Sequence, residues 1–117
     1  MTISPLARRH IPWAWGATAT LALILCALTL YPAASKAGVS GLDKLYHFIG
    51  FGALALPLCL AYPRRAWAVV LGVTAFGGAI ELIQPYVGRG AEWADLLADA
   101  LGALSAAGLA RVLSRRR

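Results

Sequence analysis

The carboxylates of this chain, Asp43, Glu81, Glu92, Asp95 and Asp99, lie at helical intervals from its other polar groups. Asp43, Lys44 and His47 fall within about one turn, Glu81 and Gln84 are three apart, Arg89 follows, and Asp95 and Asp99 are four apart. Residues three or four apart share a helix face. Such a set can do three kinds of chemistry. It can bind a polar ligand, with Arg89 and Lys44 on phosphate or carboxylate groups and the acids accepting hydrogen bonds. It can move a proton, with Glu81 or His47 as general base, Asp43 orienting His47 and Arg89 steadying a phosphate. It can also hold a divalent metal through His47, Glu81, Asp95 and Asp99. Carboxylate-rich sites suit hard cations, and a single imidazole gives little preference for zinc. No nucleophile elbow and no established metal motif accompanies these residues.

The elements that must position them are long and apolar. The chain has 117 residues, read as one domain over 1–117, of which 60% are hydrophobic and 14% charged. Soluble domains carry about 25% charged residues. Four apolar runs stand out, Trp13–Tyr31, Leu45–Tyr62, Ala66–Ile83 and Trp93–Val112. Each matches the ~20 residues that cross ~30 Å of hydrocarbon as a helix. Pro32, Pro63 and Pro85 close the first three runs, and Pro57 predicts a mild kink in the second. Gly38, Gly41, Gly88 and Gly90 mark loops. Trp13, Trp15, Tyr31, Tyr46, Tyr62, Trp67, Tyr86 and Trp93 fall near the ends, where amphipathic rings favour the membrane interface. The fold class is all-α, a polytopic bundle of about four transmembrane helices.

Charge orients the bundle. One side collects Arg8, Arg9, Arg64, Arg65, Arg111 and Arg115 to Arg117, with no acidic residue. The other holds Lys36, Lys44, Arg89 and every carboxylate. The positive-inside rule assigns the first side, with both termini, to the cytoplasm. The formal net charge of +6 therefore reads as topology and anionic-lipid contact, not nucleic-acid binding. The arginine pair, apolar run and Ala33-Ala34-Ser35 resemble a cleaved signal peptide, but the run is longer than such a core, so the first helix is read as uncleaved. Cys26 and Cys59 lie in apolar runs and read as buried small hydrophobes, not a disulfide.

Stripes on three helices predict a shared interior. They are Asp43, His47, Gly50 and Pro57; Thr74, Gly77, Gly78, Glu81 and Gln84; and Asp95, Asp99, Gly102 and Ala106. Each is polar at its outward end and small below, which permits close packing within the chain or a homodimer. The first helix lacks such a stripe and belongs at the bundle edge. Each polar residue also has a structural alternative. Asp43 with Ser40 can cap the second helix, Lys44 can snorkel, and Glu92 and Asp95 can complement the dipole of the fourth helix. His47 can be an interior histidine bonded to Asp43, and Gln84 and Arg89 can bridge helices. Glu81 and Asp99 lie deepest and are the strongest site residues.

Asp43-Lys44-x-x-His47-Phe48-x-x-Phe51, then Glu81-x-x-Gln84, then Arg89-x-x-Glu92-x-x-Asp95, then Gly102, resembles the VanZ-like family of bacterial membrane proteins over about residues 40–108. The family commonly has Asn where this chain has Asp99. The added charge suits a cation, unless Asp99 stays protonated. The resemblance implies a multi-pass protein of the bacterial cytoplasmic membrane and cell envelope, linked to susceptibility to teicoplanin-type lipoglycopeptides. The leading expectation is a non-enzymatic, outward-facing binding site. Its partners would be membrane lipid and a lipid-linked envelope precursor, a lipoglycopeptide or a membrane protein. The alternative is a membrane-embedded enzyme acting on a lipid-linked substrate, with a divalent metal as its cofactor. An ion path ranks last, because the polar residues stop at one end.

Overall fold

A backbone in hydrocarbon finds no water for its N–H and C=O groups, so a spanning segment must satisfy them internally. The apolar runs accordingly fold as helices. The computed structural model describes residues 5–30, 40–88 and 92–116, with side chains over 11–30, 43–88 and 92–116. Its helices are α1 (Pro5–Leu30), α2 (Ser40–Ala61), α3 (Ala66–Ile83) and α4 (Trp93–Arg115). No strand occurs among the described residues. All four helices are long and apolar enough to cross a membrane. The bundle is 48 Å along its longest axis, close to the ~40–45 Å of a bilayer with its headgroups.

The breakers act as their chemistry dictates. Pro63 opens the short 3-10 turn Pro63–Arg65 that joins α2 to α3. Pro85 lies in a second 3-10 turn, Gln84–Val87, which tightens the end of α3. Gly88 then ends that turn at φ 78, a left-handed conformation open to glycine at little cost. α2 runs unbroken through Pro57. Helices α1, α2 and α4 extend past the expected apolar runs, because a polar end turn reaches beyond the hydrocarbon. Tyr31, Pro32, Lys36, Gly38, Arg89 and Gly90 lie outside the described residues.

Helices α2 and α4 form the most intimate pair. A Cβ added at Gly102 would collide with the Phe48 carbonyl oxygen, and one at Gly52 would come within 3.2 Å of the Gly102 oxygen. Two backbones therefore touch, the close approach small residues allow in membranes. The expected stripe on α4 is buried, with Asp95, Asp99, Gly102 and Ala106 all inside and Ala103 and Ala110 beside them. The stripe on α2 is rotated from its expected line. His47, Phe51, Leu54, Ala55 and Cys59 form its buried side, while Gly50 meets Leu25 of α1. Phe51, Leu54 and Ala103 belong to one core with Val73 and Ile80.

Helix α1 packs chiefly on α2. Its polar ties to α2 and the residue that follows it are Trp15 Nε1–H donating to Tyr62 Oη (3.1 Å) and Thr18 Oγ1–H donating to the Leu54 carbonyl (3.2 Å). Elsewhere large apolar side chains face outward, as Leu23 (72% exposed) and Leu82 (69%) do. Lipid is the solvent for such a surface. Cys59 is buried, Cys26 is half-buried and both are free.

The Gly102 contact yields a direct test. Gly102→Ala should cost about 1–3 kcal/mol by overpacking and lower the thermal midpoint of the detergent-solubilised protein. Gly108→Ala, where a Cβ meets nothing within 4 Å, should leave the midpoint unchanged or slightly raised, since alanine is the better helix former.

Candidate functional site

Three helices bring polar side chains to the same end of the bundle. Helix α2 supplies Lys44 and His47, α3 supplies Glu81, and α4 supplies Asp95 and Asp99, with Glu92 at its N-cap position. The opposite end holds Arg64, Arg111 and Arg115 around a shallow hollow. The acidic and basic ends expected from the sequence are thus separated along the bundle.

His47 is the hub of the acidic end. Its Nδ1 lies 2.7 Å from Asp99 Oδ1 and its Nε2 lies 3.7 Å from Asp95 Oδ2. Its ring stacks on Phe51 at 5.9 Å, and Phe51 in turn packs on Phe76. Both ring nitrogens therefore face α4. The expected Asp43–His47 pair is replaced, because the burial that turns His47 inward directs the ring across the helix interface and not back along α2. Lys44 reaches the same helix, with its Nζ 2.6 Å from Glu92 Oε2 and 3.4 Å from Asp95 Oδ1. Its ammonium is engaged by carboxylates and does not stand free for a phosphate.

Glu81 and Asp99 lie deep, as the sequence reading expects. Asp99 is fully buried and Glu81 is 4% exposed. Glu81 Oε2 accepts a hydrogen bond from the Glu92 backbone N–H at 2.8 Å. A carboxylate on α3 thereby satisfies a donor at the start of α4, a group that no helical carbonyl can serve. One oxygen of each acid, Glu81 Oε1 and Asp99 Oδ2, is buried with no hydrogen-bond partner. An unpartnered buried acceptor costs ~1–3 kcal/mol, more when charged. One ligand atom from each of His47, Glu81 and Asp99 lies within 4.8 Å of the others.

The remaining candidates separate from this cluster. Gln84 is buried, but its Nε2–H donates to the Thr29 carbonyl of α1 at 3.2 Å, so it bridges helices. Asp43 is half-buried in the first turn of α2, and Arg89 lies outside the described residues. Two residues join the site beyond the sequence expectation. Glu92 holds both Lys44 and, through its N–H, Glu81. Gly77 makes room for Asp99, since a Cβ there would lie 2.5 Å from Oδ2. The signal for Glu92 was its place in the Arg89-x-x-Glu92-x-x-Asp95 spacing, and that for Gly77 was its position one turn below Glu81. A hollow of about 280 Å³, lined by Glu81, Leu82, Pro85, Tyr86, Glu92 and Trp93, opens beside the cluster. A larger apolar cleft, lined by Leu54, Tyr62, Val73 and Phe76 among others, lies away from the acids between α1, α2 and α3.

The Glu81–Glu92 bond carries its own prediction. Glu81→Ala should expose the Glu92 amide and accelerate its hydrogen exchange by about tenfold, the equivalent of ~1.4 kcal/mol. Glu81→Gln, which keeps an acceptor, should exchange close to the parent rate.

The polar constellation and the glycine beneath it lie on one continuous stretch of family likeness. The sequence matches the family described as VanZ/LLP1 over residues 11–114, well beyond the span that carried the motif resemblance. No curated protein and no solved structure matches the chain. The family match takes in the spanning part of α1, all of α2 and α3, and nearly all of α4, and the chain, a multi-pass membrane protein, belongs to the VanZ/LLP1 family.

Proposed function

We propose that this protein sits in the bacterial cytoplasmic membrane with both termini inside, and binds the polar head of an envelope ligand at its acidic, outward end. The ligand class is a lipid-linked envelope precursor or a teicoplanin-type lipoglycopeptide, and the role is binding without catalysis. The observation that carries this reading is the convergence of Lys44, His47, Glu81, Asp95 and Asp99 from three helices at one end of the bundle. Buried carboxylates are costly inside a bilayer, ~2.5–3.5 kcal/mol each at mid-depth, and their retention marks function. The basic residues at the other end support the orientation.

The polarity of the site refines the ligand. Lys44 already faces Glu92 and Asp95, so among the described residues the free capacity of the cluster is acceptor capacity. Amide, amine and sugar hydroxyl groups suit it. Tyr86 and Trp93 at the hollow give a ligand apolar surface at the interface.

One observation favours a second reading, a membrane-embedded enzyme on the same class of substrate. The 2.7 Å His47–Asp99 pair is the arrangement in which a carboxylate orients a general-base imidazole. In that reading Asp99 takes the orienting role first assigned to Asp43.

The test is binding of a lipid-linked precursor and of teicoplanin to the protein in nanodiscs. Parent protein should bind one of them, and His47→Ala and Glu81→Gln should each weaken binding about tenfold, or ~1.4 kcal/mol. Equal affinity in all three proteins would sink the site. Turnover of the bound ligand would replace the binding role with the enzymatic one. A carboxyl-terminal fluorescent fusion should glow in the cytoplasm, and reporter activity outside the cell would reverse the orientation.

A further inference from the structure

We propose that His47, Glu81 and Asp99 bind one hard divalent cation, of the Mn²⁺ or Mg²⁺ class, at the floor of the acidic end. This deepens the ligand-binding reading above and rests on it for what the site serves, although the cation is recognised by this chain's residues alone.

The first support is geometric. Ligand atoms of the three residues lie within 4.8 Å of one another. Opposed ligands of an octahedral Mg²⁺ stand about 4.2 Å apart. The Glu81 side chain, with its extra methylene, can close the difference. The set has one imidazole and two carboxylates, the oxygen-rich donor chemistry that suits hard cations over zinc or copper.

The second support is independent of the grouping. Glu81 Oε1 and Asp99 Oδ2 are buried and lack any hydrogen-bond partner. Their residues are 4% and 0% exposed, so water does not compensate them from outside. Both belong to the three residues whose ligand atoms converge. A cation held by these carboxylates offsets the negative charge that Lys44, committed to Glu92 and Asp95, leaves among the described residues.

The surroundings fit a metal-bound imidazole. His47 turns Nδ1 to Asp99 and Nε2 toward Asp95, 3.7 Å away. A cation taking the place of the proton at Nδ1 leaves Nε2–H directed at Asp95. Metal-ligating histidines regularly donate their second N–H to a carboxylate, which fixes the tautomer. Gly77 leaves Asp99 Oδ2 the place that a Cβ would take. The hollow lined by Glu81 and Glu92 lies beside this set.

The experiment is a Mn²⁺ titration of the EDTA-stripped, detergent-solubilised full chain, read by loss of the free-ion resonance. One saturable site per chain is expected. Glu81→Gln and Asp99→Asn should each weaken it about tenfold or more. Gly77→Ala should weaken it with all three ligands retained, because its Cβ would lie 2.5 Å from Asp99 Oδ2. Gly108→Ala should bind as the parent does. Thermal midpoints keep the test independent of folding failure. Mn²⁺ should raise the parent midpoint by more than that of Asp99→Asn, while without metal Asp99→Asn should be at least as stable as the parent. No saturable site for Mn²⁺ or Mg²⁺, or equal affinity in parent and Asp99→Asn, overturns the proposal and means that protons, not a cation, satisfy the buried oxygens. The two readings fail separately. Envelope-ligand binding that is unaffected by EDTA removes the cation from the site's function, and Mn²⁺ binding without any envelope ligand removes the ligand reading but not the metal.

Discussion

A carboxylate carried into a lipid-spanning bundle must find a polar partner on another helix, and the pairing of Asp99 with His47 is where this chain meets that demand. The 2.7 Å contact joins α4 to α2. In a low-dielectric interior such a bond is strong, and its absence would leave a costly unpaired group. The contact requires the two helices to lie close. Gly52 and Gly102 permit that approach one turn below, where the backbones touch. Chemistry at the top of the pair and smallness beneath it are therefore one design. Replacing the small residues would part the helices and unmake the polar pair.

The same logic recruits α3 and α1. Glu81 from α3 takes up the free N–H at the start of α4, which ties the two helices together at the polar end. Gln84, three residues later, turns the other way and holds the Thr29 carbonyl near the end of α1. One short segment, from Glu81 through Gln84, thus anchors both neighbours with side chains of similar length. The rest of α1 is held by its packing on α2, and its outer surface is left to lipid. Much of the remaining apolar surface needs no protein partner, because acyl chains are as apolar as leucine.

Among the described residues the acidic end is unbalanced in charge. Lys44 and His47 face Glu81, Glu92, Asp95 and Asp99, and the strongest of these contacts are already made within the chain. What the cluster offers to a visitor is acceptor oxygen. That directs attention to ligands with hydrogen-bond donors and to cations, and away from anionic groups meeting bare protein.

The sequence by itself determined the helices, their approximate ends and the segregation of charge, because these follow from local quantities. Hydrophobic length, proline position and arginine clustering are legible without knowing what packs on what. It also nominated Glu81 and Asp99, since an acid deep in an apolar run has few structural excuses. Pairing was not legible. Asp43 lies one turn from His47 in sequence, yet His47 bonds to Asp99 on α4, because the rotation of α2 is decided by where its whole apolar side buries. Gln84 reads both as a member of the polar stripe and as a helix bridge, and only the fold assigns it to α1. Glu92 reads as a helix-dipole residue, yet it links Lys44 and Glu81. Residues on different helices meet through the tertiary fold, and the direction of a side chain across an interface is set by the packing of neighbours that no local pattern contains.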